Sequence, residues 1–205
     1  MSKRKVFVTG GTGRIGRHLV PFLVDNGFHV KALVRGDKTP WGTSENISAI
    51  KGDVLDRGAL SDGVQECDYV FHLATYQNLN DQDRKKFYET NVLGTENLLN
   101  ACLSGNIKKI VNVSSIVVFQ NTGKIERDEI WGLRQDVNAD HYSSTKLESL
   151  IKTRELFAET KGSPPLVTVY PSVVIDLQDF RSSAPNQMPP VQKFIWEKIG
   201  GGIPG

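Results

Sequence analysis

The run Val6-Phe7-Val8-Thr9-Gly10-Gly11-Thr12-Gly13-Arg14-Ile15-Gly16 constrains this chain more than any other stretch. A short apolar, β-prone segment passes directly into a glycine-rich turn, and the amphipathic stretch Ile15 to Val24 reads as the helix that follows. Glycine lets the backbone turn tightly and approach a pyrophosphate, while a helix start aims unpaired N–H groups and the positive end of its dipole at an anion. Gly10, Thr12, Gly13, Arg14, Ile15 and Gly16 are therefore the expected cradle of a dinucleotide. The bland alternative is a tight strand-to-helix turn with no ligand.

The rest of the chain repeats the theme. Short β-rich runs recur at Val6 to Thr9, His29 to Val34, Ile47 to Ile50, Tyr69 to Ala74, Ile110 to Val113 and Leu166 to Val169, separated by longer stretches that read as helices. Such alternation predicts an α/β fold, a doubly wound parallel sheet covered on both faces. Gly27, Gly105 and Gly162 stand where helices stop, each suited to a left-handed C-terminal cap. After Pro171 the prolines Pro185, Pro189 and Pro190 and a glycine-rich end predict an irregular segment with one helix around Val191 to Ile199.

A chain of 205 residues, 39% hydrophobic and 23% charged, suffices for one well-buried core. Its net charge of +2 is scattered, which argues against a nucleic-acid or membrane partner and for a small molecule. No apolar run approaches the ~20 residues of a membrane span, and Met1-Ser2-Lys3-Arg4-Lys5 enters a strand without a signal region, so a cytoplasmic setting is expected. Cys67 and Cys102 stand far apart without ligand-type neighbours, so they read as core thiols and no metal site is expected.

Which dinucleotide binds depends on the end of the second strand. A site for NAD usually offers a carboxylate about 20 residues beyond the loop, whereas a 2′-phosphate needs positive charge. Here Arg35 follows Val34, with Arg14 or Lys38 able to add a second charge, so NADP(H) is the expected cofactor. NAD is the alternative, with Asp37 in the acidic role.

Tyr142 and Lys146 lie four residues apart near the start of a predicted helix, which puts them on one face. A free tyrosine has a pKa of about 10, and a neighbouring ammonium is expected to favour phenolate and bring it toward the working range. Ser114 and Ser115 follow the strand Ile110 to Val113, at the sheet edge where such folds bind ligands. One of them can polarise a carbonyl oxygen, and the other satisfies local backbone groups.

Taken in order with Gly52-Asp53-Val54, His72-Leu73-Ala74 and Asn91-Val92-Leu93-Gly94-Thr95, these motifs resemble the extended short-chain dehydrogenase/reductase family, from Val6 to about Pro171. The resemblance implies a Rossmann fold. It makes Ser115, Tyr142 and Lys146 the catalytic triad, with Asn91 in the helix that helps hold a water near the lysine. It also implies that Lys146 holds the cofactor ribose, that Asp53 and Val54 meet the adenine ring, that Ala74 lies on the adenosine side, and that the segment from Pro171 meets the nicotinamide end. His72 reads as a packed strand residue.

Departures narrow the branch. Family dehydratases carry Asp-Glu after the active-site hydroxyl, where this chain has Ile116-Val117, and family epimerases usually hold NAD with an acidic residue where Arg35 stands. The pattern is more similar to dihydroflavonol and cinnamoyl-CoA reductases, although Tyr170 and Gln120 replace a usual arginine and glycine. The implied activity is NADP(H)-dependent reduction of a carbonyl, or oxidation of the matching alcohol. The alternatives are an NAD-dependent nucleotide-sugar epimerase and a regulatory protein that binds dinucleotide without turnover. Family members continue into a smaller C-terminal substrate domain, so the expected organisation is a dinucleotide-binding domain over 1–171 and, over 172–205, the start of a substrate region largely missing here. The family often pairs through the helices carrying Asn91 and Tyr142, which makes a homodimer an expectation.

Overall fold

Unbroken apolar runs make the central strands. β1 (Lys5–Thr9) is buried along nearly its whole length, with Val6 and Val8 in one core and Phe7 in the other, as a strand covered on both faces requires. With β2 (His29–Val34), β3 (Ile47–Lys51), β4 (Tyr69–His72), β5 (Lys109–Val113) and β6 (Leu166–Val169) it forms a six-stranded sheet in the order β3-β2-β1-β4-β5-β6. Every pairing is parallel, and Val6 stands opposite Val30 on one side and Tyr69 on the other. The computed structural model describes residues 3–78, 82–120, 132–135 and 140–174.

α1 (Gly16–Asp25) lays Val20 and Leu23 on Val6, Val8 and Val30. The opposite face is covered by α2 (Arg57–Val64), α4 (Gly94–Ser104) and α5 (His141–Glu159), whose Leu60, Leu98, Leu99 and Leu156 pack with Phe7 and Ile110. Gly63 brings α2 down onto the Phe7 ring, since a Cβ there would lie 2.2 Å from the nearest ring atom. Full burial of a phenylalanine of this kind contributes about 2–3 kcal/mol. Helix α3 (Arg84–Tyr88) runs into α4 through a π-helical turn, Glu89–Leu93. The expected doubly wound parallel sheet is thus the architecture of the chain, and the strand order reverses direction between β1 and β4. In such sheets that reversal opens a crevice at the carboxyl ends of the strands.

Three local expectations fail for physical reasons. β4 stops at His72 rather than Ala74, because Leu73 gives its N–H to the Thr9 carbonyl (3.1 Å) just before Gly10 turns the partner strand away. The stretch between β2 and β3 is not helical. It carries Gly36, Pro40 and Gly42, and half-buried Trp41 packs there against the core under α1. Gly27 and Gly162 adopt left-handed φ values of 82° and 76°, but Gly105 is extended (φ −98°, ψ −179°) so that Ile107, 7% exposed, drops into the core. The chain divides into two units, Met1–Ser172 and Val173–Gly205, and all the elements above belong to the first. The helix expected around Val191 to Ile199 lies outside the described residues.

Candidate active site

The β1–α1 turn is shaped by what glycine lacks. Gly10 has φ +69°, and a Cβ on it would sit 2.5 Å from the Ala74 backbone nitrogen. A Cβ on Gly16 would meet the Gly10 carbonyl oxygen at 2.3 Å, so the first turn of α1 rests directly on the loop. Helices α2, α3 and α5 each begin on an aspartate, Asp56, Asp83 or Asp140, whose carboxylate accepts a first-turn N–H. α1 begins instead on Ile15, which has no oxygen to offer, and among the described residues the N–H groups of Ile15 and Gly16 find no acceptor. Thr12, Gly13 and Arg14 are exposed beside them. Free donors at a helix start, next to backbone that can be approached closely, fit the pyrophosphate of a dinucleotide.

Arg35, the first residue after β2, is exposed and makes no ion pair among the described residues. Asp37, the candidate for the acidic role, is held by Lys51 at 2.9 Å. Asp53 accepts the Leu55 N–H at 3.1 Å in the turn after β3. The Val54 side chain faces the core under α4, where a Cβ on Gly94 would meet it at 2.4 Å, and the Val54 carbonyl accepts from Asn97. Of that pair, Asp53 is the residue left half-exposed, and Val54 does not present its side chain as a wall for a ring.

At the end of β5 the chain is fastened to the last residue of β6 and the segment that follows, with the Ser114 N–H on the Val169 carbonyl (2.8 Å) and the Ile116 N–H on the Pro171 carbonyl (3.2 Å). Ser115 caps the short 3₁₀ turn Ile116–Val118 through the Val117 N–H, and its hydroxyl stands close enough to the Tyr142 phenol to act on its pKa. Lys146, one turn further along α5, is 7% exposed and donates to the Val113 carbonyl at 2.9 Å. Ser115, Tyr142, Lys146 and Pro171 therefore converge on one strand end. Of the substituted positions, the Tyr170 ring packs against Phe119 with centroids 4.8 Å apart, while exposed Gln120 donates its backbone N–H to the Gly132 carbonyl.

The electrostatics correct one expectation. Burial pushes Tyr142 above its ordinary pKa; the nearby Ser115 hydroxyl opposes this, and the Asp140 carboxylate adds to it. Lys146 does not offset that burial; its ammonium gives one of its three N–H donors to the Val113 carbonyl, and its own pKa is lowered to about 8 by burial. In the protein alone Tyr142 is a protonated acid. Cys67 and Cys102 are inert in comparison, their thiols pushed up to about 11 and about 12 by burial.

Asn91 lies in the π-helical turn, 1% exposed. Its side-chain oxygen accepts from the Thr75 hydroxyl and the Tyr76 N–H, and its amide donates to the Tyr76 carbonyl and the Thr145 hydroxyl. All the hydrogen-bonding capacity of that side chain goes to the protein, so Asn91 ties the segment after β4 to α5. Thr9, Thr95 and Thr145, which the sequence did not single out, surround this tie and His72. The only hint was position, since each lies inside or next to a motif already quoted.

A family model described as the NAD dependent epimerase/dehydratase family matches residues 6–182. A Synechocystis protein bearing a dihydroflavonol 4-reductase name is 32% identical over 177 residues, covering 85% of this chain and 50% of that protein. A cinnamoyl-CoA reductase of Medicago truncatula is 31% identical over 192 residues, 83% of this chain and 57% of its own length. The crystal structure of a short-chain dehydrogenase/reductase superfamily protein from Agrobacterium tumefaciens with bound NAD superposes with a TM-score of 0.70 at 27% identity, covering 82% of this chain and 48% of that one. The chain thus spans about half the length of the curated relatives it matches.

Proposed function

Since the chain belongs to the NAD-dependent epimerase/dehydratase family, we propose that it works as an NADP(H)-dependent oxidoreductase that reduces a small-molecule carbonyl, or oxidises the matching alcohol, through Ser115, Tyr142 and Lys146. One observation carries the reading: a buried lysine and a tyrosine close to a serine hydroxyl share one strand end, two strands along the sheet from a loop fit for a pyrophosphate. The nicotinamide supplies hydride when bound. Tyr142, kept protonated by its burial, gives its proton to the carbonyl oxygen as negative charge develops there. Ser115 orients that oxygen by hydrogen bonding, and Lys146 holds the cofactor ribose through the N–H donors that the Val113 carbonyl does not take. The reductase names among the relatives support this chemistry, as does the lack of an acid–base pair at Ile116-Val117.

NADP(H) is preferred to NAD because Arg35 is unpaired among the described residues while Asp37 is engaged by Lys51. The bound NAD of the Agrobacterium relative favours the second reading, a nucleotide-sugar epimerase that retains NAD tightly. Titration with NADPH and NADH, following nicotinamide fluorescence, separates the two. NADPH is expected to bind about tenfold or more tighter, from charge-assisted hydrogen bonds to the 2′-phosphate, and Arg35→Asp is expected to remove the preference. A wild-type preference for NADH would sink the reductase assignment as stated and favour the epimerase.

A further inference from the structure

His72 ends β4 at 2% exposure, between two hydroxyls: Nδ1 is 2.7 Å from Thr9 Oγ1, and Nε2 is 2.9 Å from Thr95 Oγ1. The surroundings fix the direction of both bonds. The Thr95 hydroxyl donates its one proton to the Asn91 carbonyl at 2.8 Å, so toward His72 it can only accept, and Nε2 must carry a hydrogen. The Thr9 oxygen accepts the Ala74 N–H at 3.4 Å and has its own proton left for a bare Nδ1. From Asn91 the path continues through the amide Nδ2 to Thr145 Oγ1 at 3.1 Å, and the Thr145 hydroxyl donates to the His141 carbonyl at 2.7 Å. Every donor along the path points the same way, from the segment beside Gly10 to the first turn of α5. Thr145 sits between Tyr142 and Lys146 on that turn.

We propose that Thr9, His72, Thr95, Asn91 and Thr145 form a buried, one-directional hydrogen-bond relay in which His72 is a positioning residue, held in its neutral Nε2–H tautomer, that registers the Tyr142/Lys146 turn against the dinucleotide loop. The relay rests on the catalytic reading of Tyr142 and Lys146 given above. A histidine suits the central position because one neutral ring accepts on one side and donates on the other, joining the end of β1 to the first turn of α4. Burial keeps it neutral, with its pKa lowered to about 3 and the nearby Lys146 charge acting in the same direction. The π-helical turn contributes by bringing both the Asn91 carbonyl and its amide into the path, a use in keeping with the frequent placement of such turns at functional sites.

Two measurements on the whole chain test the relay. Nitrogen-15 NMR of His72 reads the tautomer without any substrate. Protonated Nε2 with bare Nδ1 is expected from pH 8 to pH 5, and a protonated Nδ1 in that range overturns the relay. The second measurement compares Thr95→Val with Thr95→Ser in NADPH oxidation against a panel of aldehydes. Valine keeps the shape and removes the hydroxyl, so turnover is expected to fall about tenfold or more while the Kd for NADPH stays within about threefold, because positioning errors act on the chemical step. Serine is expected to restore turnover. A folded valine variant with wild-type turnover overturns the relay, and if that variant does not fold, Thr145→Val is read by the same split. Should the wild-type chain oxidise NADPH with no carbonyl, the catalytic reading fails, and the tautomer measurement alone decides the relay.

Discussion

Around the β1–α1 turn the site is built from backbone, and around the end of β5 it is built from side chains. In the first region Gly10 and Gly16 matter for the Cβ they lack, and the donors are main-chain N–H groups at an uncapped helix start. In the second, Ser115 comes from the end of β5 and Tyr142 and Lys146 from α5, and buried hydroxyls and amides hold them in register. Backbone sites are fixed by local conformation, so substitutions there should damage fold and binding together. Side-chain sites depend on tertiary placement, so substitutions there should remove chemistry while leaving the fold and the cofactor site intact.

Tyr142→Phe draws that line most sharply. Loss of a positioned general acid is expected to lower turnover by about a thousandfold, with NADPH affinity nearly unchanged. Steady-state kinetics beside a fluorescence titration measure both, and retained turnover would remove Tyr142 from the mechanism. Gly16→Ala should do the reverse. The added Cβ meets the backbone of Gly10 and Gly11 at 2.3–2.5 Å, where nothing flexible can yield, so a loss of about 3 kcal/mol in denaturant unfolding is expected together with weakened NADPH binding. A variant of wild-type stability would mean that the loop tolerates movement and that the contrast between the regions is overdrawn.

The same contrast explains what could be read in advance. The parallel sheet and the glycine-rich turn were legible because a parallel sheet demands unbroken apolar runs and the turn demands glycine at particular positions, both local requirements written in residue type. The Tyr142/Lys146 pairing was legible as helical spacing, but its electrostatics were not. Spacing says nothing of the Val113 carbonyl that takes the ammonium or of the burial that raises the phenol. The burial of the Val54 side chain was silent for a related reason, since nothing in Gly52-Asp53-Val54 shows that Gly94 packs against it. Thr9, Thr95 and Thr145 were silent because a threonine engaged in a relay and a threonine in a strand or helix look alike until their partners are known.

His72 belongs to the side-chain region and carries a pH signature. Its folded-state pKa, about 3, lies below the ordinary value of 6.5, so below pH 6.5 the unfolded chain takes up a proton that the folded chain refuses. Stability should therefore fall as the pH drops from 6.5 toward 3. Between pH 7 and pH 5 the wild type is expected to lose about 2 kcal/mol more than His72→Gln, read by urea unfolding at the two pH values. Parallel loss in both proteins would show that His72 protonates in place.

The smallest effect is expected at Asp37, on the rim of the backbone region. Its ion pair with Lys51 joins side chains that are 86% and 70% exposed, and pairs in that setting contribute less than about 1 kcal/mol. Asp37→Asn should accordingly leave the unfolding midpoint within error of the wild type. Its value lies in the cofactor readout. If Arg35 faces a 2′-phosphate, removing the neighbouring carboxylate lowers local repulsion, and NADPH should bind as tightly as before or slightly tighter, with NADH unaffected. If Asp37 instead leaves Lys51 to accept ribose hydroxyls, the same substitution should weaken NADH selectively. That outcome would move the specificity of the loop from a charge fixed at the end of β2 to a surface side chain free to change partners, and would carry the epimerase reading with it.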